Sequence, residues 1–170
     1  MKHSAILLLV VLFACNNTPP DFTTTIPFWL GQHRDSVRMK IGLPDVENIN
    51  YHGDTTESYW DEGYTVEYVN NRVIGIEAAT FVKGKFPGKL LGLQLSDGLS
   101  ECEDRFGKWV GEKFEGTHTV YTWYYQGNTI EAEVLEESGN WHGGGSYEKG
   151  TLRTLEVIKG EVELENGVRK

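Results

Sequence analysis

The sequence predicts an α+β protein of two tandem α-β-β-β units with antiparallel sheets. Three observations carry this. A pattern over residues 30–42 returns over residues 95–107 without gaps, an offset of 65. Each copy reads as a short amphipathic helix closed by a glycine. Each copy is followed by runs of alternating apolar and polar residues between tight turns, the signature of antiparallel strands with one buried face.

The N-terminus stands apart from this fold. Residues 1–14 begin with Lys2 and continue with a run from Ala5 to Ala14 that is apolar or small throughout. A helix needs about 20 apolar residues to span a bilayer, so this run is too short and reads as a secretory signal. Leu12-Phe13-Ala14-Cys15 resembles the lipobox of bacterial lipoproteins, although Phe13 is bulkier than the usual residue there. That resemblance implies cleavage before Cys15, lipidation of its thiol and anchoring to a membrane by two or three acyl chains. Each buried methylene contributes about 0.8 kcal/mol, so such an anchor resists salt and yields to detergent. Asn16 and Asn17 follow the cysteine where an aspartate would retain a Gram-negative lipoprotein on the inner membrane. By that likeness the expected location is the outer membrane, facing the periplasm. Residues 15–26 are Asn-, Thr- and Pro-rich and read as a tether.

Repeat unit 1 is expected over residues 27–82. Its helix carries Val37 and Ile41 on one face and ends at Gly42, with Pro44 barring continuation. Strands follow around Tyr59-Trp60, over Tyr64–Val69 and over Arg72–Ala78, with turns at 61–63 and 70–71. Residues 83–89 read as a linker containing Lys83, Lys85 and Lys89. Repeat unit 2 is expected over 90–159. Its helix presents Leu99, Cys102 and Phe106 and ends at Gly107. Strands follow over Val120–Tyr125, Thr129–Leu135 and Thr151–Ile158, the last two separated by a Gly-rich loop. Residues 160–170 form a C-terminal tail. One helix and three strands bury little core alone, so the units should pack together or join their sheets edge to edge.

Composition narrows the function. The chain has 16 Lys and Arg against 25 Asp and Glu, a net charge of −9. Such a chain repels phosphate backbones, and no basic stripe offsets this, so nucleic acid is excluded as an expected partner. A basic protein partner is compatible with the charge. There are two cysteines. With Cys15 assigned to lipid, Cys102 has no intramolecular partner and reads as a small buried core residue.

No catalytic set is expected. His142-Gly143-Gly144-Gly145 matches an oxyanion-hole string of esterases, but the Gly-x-Ser-x-Gly elbow that chemistry requires is missing. His33, His52, His118 and His142 lack metal-ligand spacing, and no cofactor fingerprint is present, so no metal or cofactor is expected. Glu131 and Glu133 share a strand face by the period of two and read as solvated charge. Aromatics are more informative. Tyr124 points away from the core side of its strand, Trp141 sits in the Gly-rich loop and Tyr147 closes it. These three are the candidate partner-binding residues, since exposed aromatics are enriched at protein interfaces.

A helix ending in Gly-x-Pro, a Tyr/Trp strand, a hairpin and an Arg-Val-x-x-Ile closing strand are carried here by Gly31, Val37, Ile41, Gly42, Pro44, Tyr59, Trp60, Val66, Val73 and Ile76. The second copy keeps Cys102, Phe106, Gly107 and Trp123. This arrangement resembles the small outer-membrane lipoproteins of the SmpA/OmlA type and the tandem domains of the beta-lactamase inhibitor protein-like fold. The second copy departs from it with Lys108-Trp109 after its glycine. The resemblance implies a non-enzymatic, membrane-anchored, protein-binding module of the envelope. Two other expectations stand beside it. One is a small-ligand carrier or enzyme with a site between the repeats, using His118, His142 and Glu133. The other is an immunity or inhibitor protein whose acidity matches a basic partner.

Overall fold

The computed structural model describes residues 29–60, 63–81, 84–85, 89–140, 146–165 and 168–169. Cys15, the signal, the tether, Trp141 and His142 lie outside the described residues. The elements that build the core are α1 (Arg34–Ile41), β1 (Val46–Ile49), β2 (Thr55–Tyr59), β3 (Tyr64–Val69) and β4 (Arg72–Phe81). They continue with α2 (Leu99–Phe106), β5 (Gly111–Phe114), β6 (His118–Tyr125), β7 (Asn128–Leu135) and β8 (Leu152–Lys159).

Both helices are eight residues long and are delimited as local chemistry dictates. At the start of α1 the His33 ring accepts from the Asp35 N–H; at the start of α2 the Glu101 carboxylate accepts from the Gly98 N–H. Each helix ends on a glycine with positive φ, Gly42 at +91° and Gly107 at +84°, a conformation that costs a side chain strain. Their N–H groups return to the Arg38 and Glu103 carbonyls, both at 2.8 Å.

The eight strands form one antiparallel sheet in the order β1-β2-β3-β4-β8-β7-β6-β5. A two-residue strand, Gly84–Lys85, pairs off the end of β4. This corrects the expected α+β class of two tandem units: the molecule is predominantly β, with one large sheet and two short helices. Alternation in the sequence marks three strands in each half. A fourth is present in each, β1 and β5, short and charged and lying at the two edges of the sheet. The reason for the single sheet is the pairing of β4 with β8. Thr154 to Ile158 lie against Gly75 to Ala79, so the last strand of one half supplies the backbone partners the other would lack.

The register gathers the core on one face. Directly opposed residues run Glu57, Val66, Ile76, Val157, Ile130 and Trp123 across six strands, and Tyr59, Tyr64, Ala78, Leu155, Ala132 and Tyr121 beside them. Val37 of α1 and Cys102 of α2 are buried in the same apolar cluster, which spans both halves of the chain. Trp123 donates its indole N–H to the Gly107 carbonyl at 2.8 Å, and Phe106 packs 5.7 Å from its ring, which seats α2.

Among the described residues, Glu57 is a carboxylate fully buried on the core face. It receives Nε–H bonds from Arg34 and Arg38 and the Tyr59 hydroxyl at 3.0 Å. Arg38 also donates to Glu47 at 2.6 Å. Burial would raise the Glu57 carboxyl, but the bonds from Arg34, Arg38 and Tyr59 outweigh it and hold it below the ordinary carboxylate range.

Candidate interaction face of the sheet

Side chains alternate across a strand, so the register that builds the core also fixes what the other face displays. On that face Ser58, Thr65, Glu77, Glu156, Glu131 and Thr122 stand directly opposite one another from β2 to β6. The row on one side is Thr56, Glu67, Gly75, Ile158, Thr129 and Tyr124. The row on the other is Ala79, Thr154, Glu133, Val120 and Lys113. Five glutamates, at 67, 77, 131, 133 and 156, therefore share one face of four adjacent strands. Gly75 sits among them without a side chain. A Cβ there would lie 3.3 Å from Glu67 Oε2 and 3.6 Å from Glu156 Oε1, so both carboxylates lean over it.

The array is arranged about the β4–β8 seam. The strand order places four strands on either side of it, with Glu77 opposite Glu156 at its centre. Glu67 pairs with Gly75, two residues before Glu77; Glu133 pairs with Thr154, two before Glu156. These two glutamates thus occupy corresponding places on either side of the seam.

Like charges directly across a ladder sit about 5 Å apart and repel. Burial, then the charges of Glu133 and Glu67, push the Glu77 carboxyl up to about 7, against the opposing pull of Arg153. Arg153 Nη1 lies 3.2 Å from Glu133 Oε2 and 3.2 Å from His118 Nδ1. Because a guanidinium only donates, that ring nitrogen accepts and the proton sits on Nε2. Nε2 faces Glu115 at 3.6 Å and Glu133 at 3.8 Å. The structure thus brings together two of the residues expected at a site between the halves, His118 and Glu133. It binds them into an ion and hydrogen-bond cluster with Arg153 and Glu115. The ring of His118 is buried. Among the described residues no group of three or more His, Cys, Asp or Glu is placed to hold a metal ion.

Tyr124 lies on this same outer face, beside Thr129, and is 37% exposed. What partly covers it is the C-terminal segment. Its hydroxyl donates to the Val162 carbonyl at 2.6 Å, while the Thr129 hydroxyl donates to Gly160 O and accepts from Val162 N–H. Tyr147 is half-buried in a short pairing with Gly139, and its ring occupies the space where a Gly139 Cβ would be. Lipidation at Cys15 and partner contact at Trp141 fall outside the described residues. The sequence pointed to Glu131 and Glu133 through their shared period. It held no signal for Glu67, Glu77 and Glu156 as their neighbours, because strand pairing alone brings them together.

No family model matches the chain, and no curated protein matches it. No helix among the described residues is long and apolar enough to cross a membrane. Among solved structures the chain is similar to a cysteine-rich secretory protein from Staphylococcus aureus subsp. aureus Mu50. The two share 11% identity at a TM-score of 0.52, over 79% of this chain and 46% of that one. An extracellular protein containing an SCP domain from Bacillus anthracis str. Ames aligns at 10% identity and a TM-score of 0.47, over 82% of this chain and 47% of its own. A DUF4309 family protein from Bacillus subtilis subsp. subtilis str. 168 aligns at 10% identity and 0.45, over 75% and 78%. This chain spans less than half the length of the first two. The first likeness is one of fold, to a protein described as secretory.

Proposed function

We propose that this chain is an exported, lipid-anchored envelope protein that acts as a non-catalytic protein-binding module, docking a Lys- and Arg-rich partner surface on the helix-free face of its sheet. The observation that carries this reading is the array of Glu67, Glu77, Glu131, Glu133 and Glu156 on four adjacent strands, opposite the face that holds the core. Complementary charge speeds encounter and selects against wrong partners, and a net charge of −9 extends the field beyond the array. Tyr124, beside the array, supplies a large amphipathic contact of the kind enriched at binding hot spots. Export is supported by the N-terminal segment ending at Cys15 and by a fold neighbour described as secretory. The resemblance to small outer-membrane lipoproteins points to the same class of function.

The test is site-specific photo-crosslinking of the lipidated protein in intact cells. A crosslinker at Thr154, on the outer face, should give a discrete protein adduct that one at Ser36, on α1, does not. Glu131→Lys should remove that adduct, and raising salt should weaken it. An adduct from Ser36 alone, or one indifferent to Glu131→Lys, would exclude this face as the docking surface.

A further inference from the structure

We propose that the end of the sheet where the chain enters the fold is a lipid-facing surface: Tyr51, at the tip of the β1–β2 hairpin, and the cations Arg72, Lys108 and Lys159 rest on phospholipid headgroups, and the strands stand up from the membrane. This inference rests on the anchoring of Cys15 proposed above.

Strand pairing gathers that end. The hairpin 50–54, the turns at 70–71 and 126–127 and the end of β8 at Lys159 all lie there. The chain joins the fold at the same place. Gly31 N–H donates to the Val73 carbonyl at 2.8 Å, and Arg34 N–H donates to the Asn71 carbonyl at 2.9 Å. Thirteen residues separate Cys15 from Trp29. Fully extended, thirteen residues reach at most about 45 Å. The ten residues of β4 alone cover about 33 Å. With the opposite end on the membrane, the connection to Cys15 would have to run nearly straight along the whole sheet. With this end down it needs no such extension.

The chemistry of this end suits headgroups. Asn50 Oδ1 accepts from the His52 N–H at 2.9 Å and the Asp54 N–H at 3.0 Å, a side-chain turn that projects Tyr51 outward. Tyr51 is 92% exposed, its ring 3.9 Å from that of His52, and Ile49 beside it is exposed as well. An aromatic ring with a polar tip is the side chain that settles at a membrane–water boundary. Two cations flank the point of entry. Arg72 donates to the Gly31 carbonyl at 3.0 Å, and the Lys159 ammonium lies 3.1 Å from where a Gly31 Cβ would be. Lys108 follows Gly107, whose carbonyl is tied to Trp123 near the same end. None of these three forms an ion pair with another described residue, whereas Arg34, Arg38, Lys113, Lys149 and Arg153 all do. Of the acids here, Asp35 faces His33 and Asp54 accepts from Asn50, while Glu161 is exposed. Cations left without carboxylates at the anchored end are complementary to lipid phosphates. The glutamates of the outer face then point sideways, off the anionic surface and open to a partner.

Depth-dependent quenching tests this on the full lipidated chain. Cys102 is buried, so an introduced surface cysteine takes the label. A fluorophore is placed at His52→Cys, on the hairpin tip, or at Leu43→Cys, exposed beyond the far end of α1. The protein is reconstituted in vesicles of phosphatidylcholine and phosphatidylglycerol in equal parts, containing headgroup spin-labelled lipid. Quenching at position 52 should exceed that at 43 several-fold. Replacing phosphatidylglycerol by phosphatidylcholine should lower it, and Lys108→Gln with Lys159→Gln should cut the docked-to-undocked ratio about fivefold per charge. Equal quenching at the two positions, or more at 43, in a chain whose intact mass shows lipid on Cys15 overturns this surface and leaves the anchor standing. Quenching at 52 that ignores both the lipid charge and the two lysines overturns the headgroup contact. A chain exported with Cys15 unmodified overturns the anchor and this surface with it.

Discussion

Arg34 and Arg38 stand one helical turn apart on α1 and converge on a carboxylate that solvent does not reach. Glu57 sits in a row that continues inward through Val66, Ile76, Val157, Ile130 and Trp123, so its burial has to be compensated by partners. Arg34, Arg38 and the Tyr59 hydroxyl supply them, and the Arg34 guanidinium lies 5.8 Å from the Tyr68 ring centroid. Removing one member leaves the others desolvated with fewer partners. Glu57→Ala should cost about 2–4 kcal/mol in urea unfolding, with Glu47 keeping both arginines from being stranded. A loss below about 0.5 kcal/mol would mark the cluster as dispensable. Cys102 shows the opposite strategy for a buried group. Burial, helped by Asp97, Glu101 and Glu103, pushes its thiol up to about 12, so it stays neutral and packs as a small apolar residue. Its counterpart in the other helix, Val37, is buried in the same core.

At the scale of elements, the sheet has two ends and one middle, and they solve different problems. In the middle, β4 and β8 pair and bury each other's edges. At the ends, β1 and β5 are each four residues long and keep much of their length exposed. Ile49 and Phe114, 65 residues apart in sequence, stand on the helix side of these end strands and are 63% and 64% exposed. Short strands carrying Glu47, Glu112 and Lys113 are poor templates for sheet extension, which is how natural edges avoid aggregation. Phe114 and Ile49 contribute little to the core from there. Phe114→Lys should change unfolding free energy by less than about 0.5 kcal/mol while lowering any concentration-dependent association seen by light scattering. A loss above about 1.5 kcal/mol would show that the residue packs more deeply than its exposure indicates.

For the whole molecule, the two charged clusters set opposite pH dependences. Glu57, held below the ordinary range, contributes stability above its unfolded pKa that is lost as pH falls through the depressed folded value. Glu77, raised from 4.5 to about 7, contributes stability in acid that is lost as pH climbs through that interval. Urea midpoints measured from pH 3 to pH 9 should therefore peak at about pH 5, below neutrality. A peak above pH 7 would mean that the outer carboxylates do not govern the profile. Local features are legible in the amino-acid pattern alone. The helices closing at Gly42 and Gly107, the alternating strands from Tyr64 to Ala78 and from Thr129 to Leu135, and the buried place of Cys102 each depend on neighbours within a turn or a strand. The edge strands are not legible there, because Val46–Ile49 and Gly111–Phe114 are short, polar and half-exposed and carry little periodicity. The fold class is misread for a different reason. Alternation tells which face of a strand is buried, but not which strand lies next to it. By itself the sequence determined the local elements and the net negative charge. Only the tertiary structure decided that β4 pairs with β8, that both halves share one core, and that Glu67, Glu77, Glu131, Glu133 and Glu156 meet on one face. Those relations are hydrogen bonds between segments far apart in the chain, and no pattern within either segment encodes its partner.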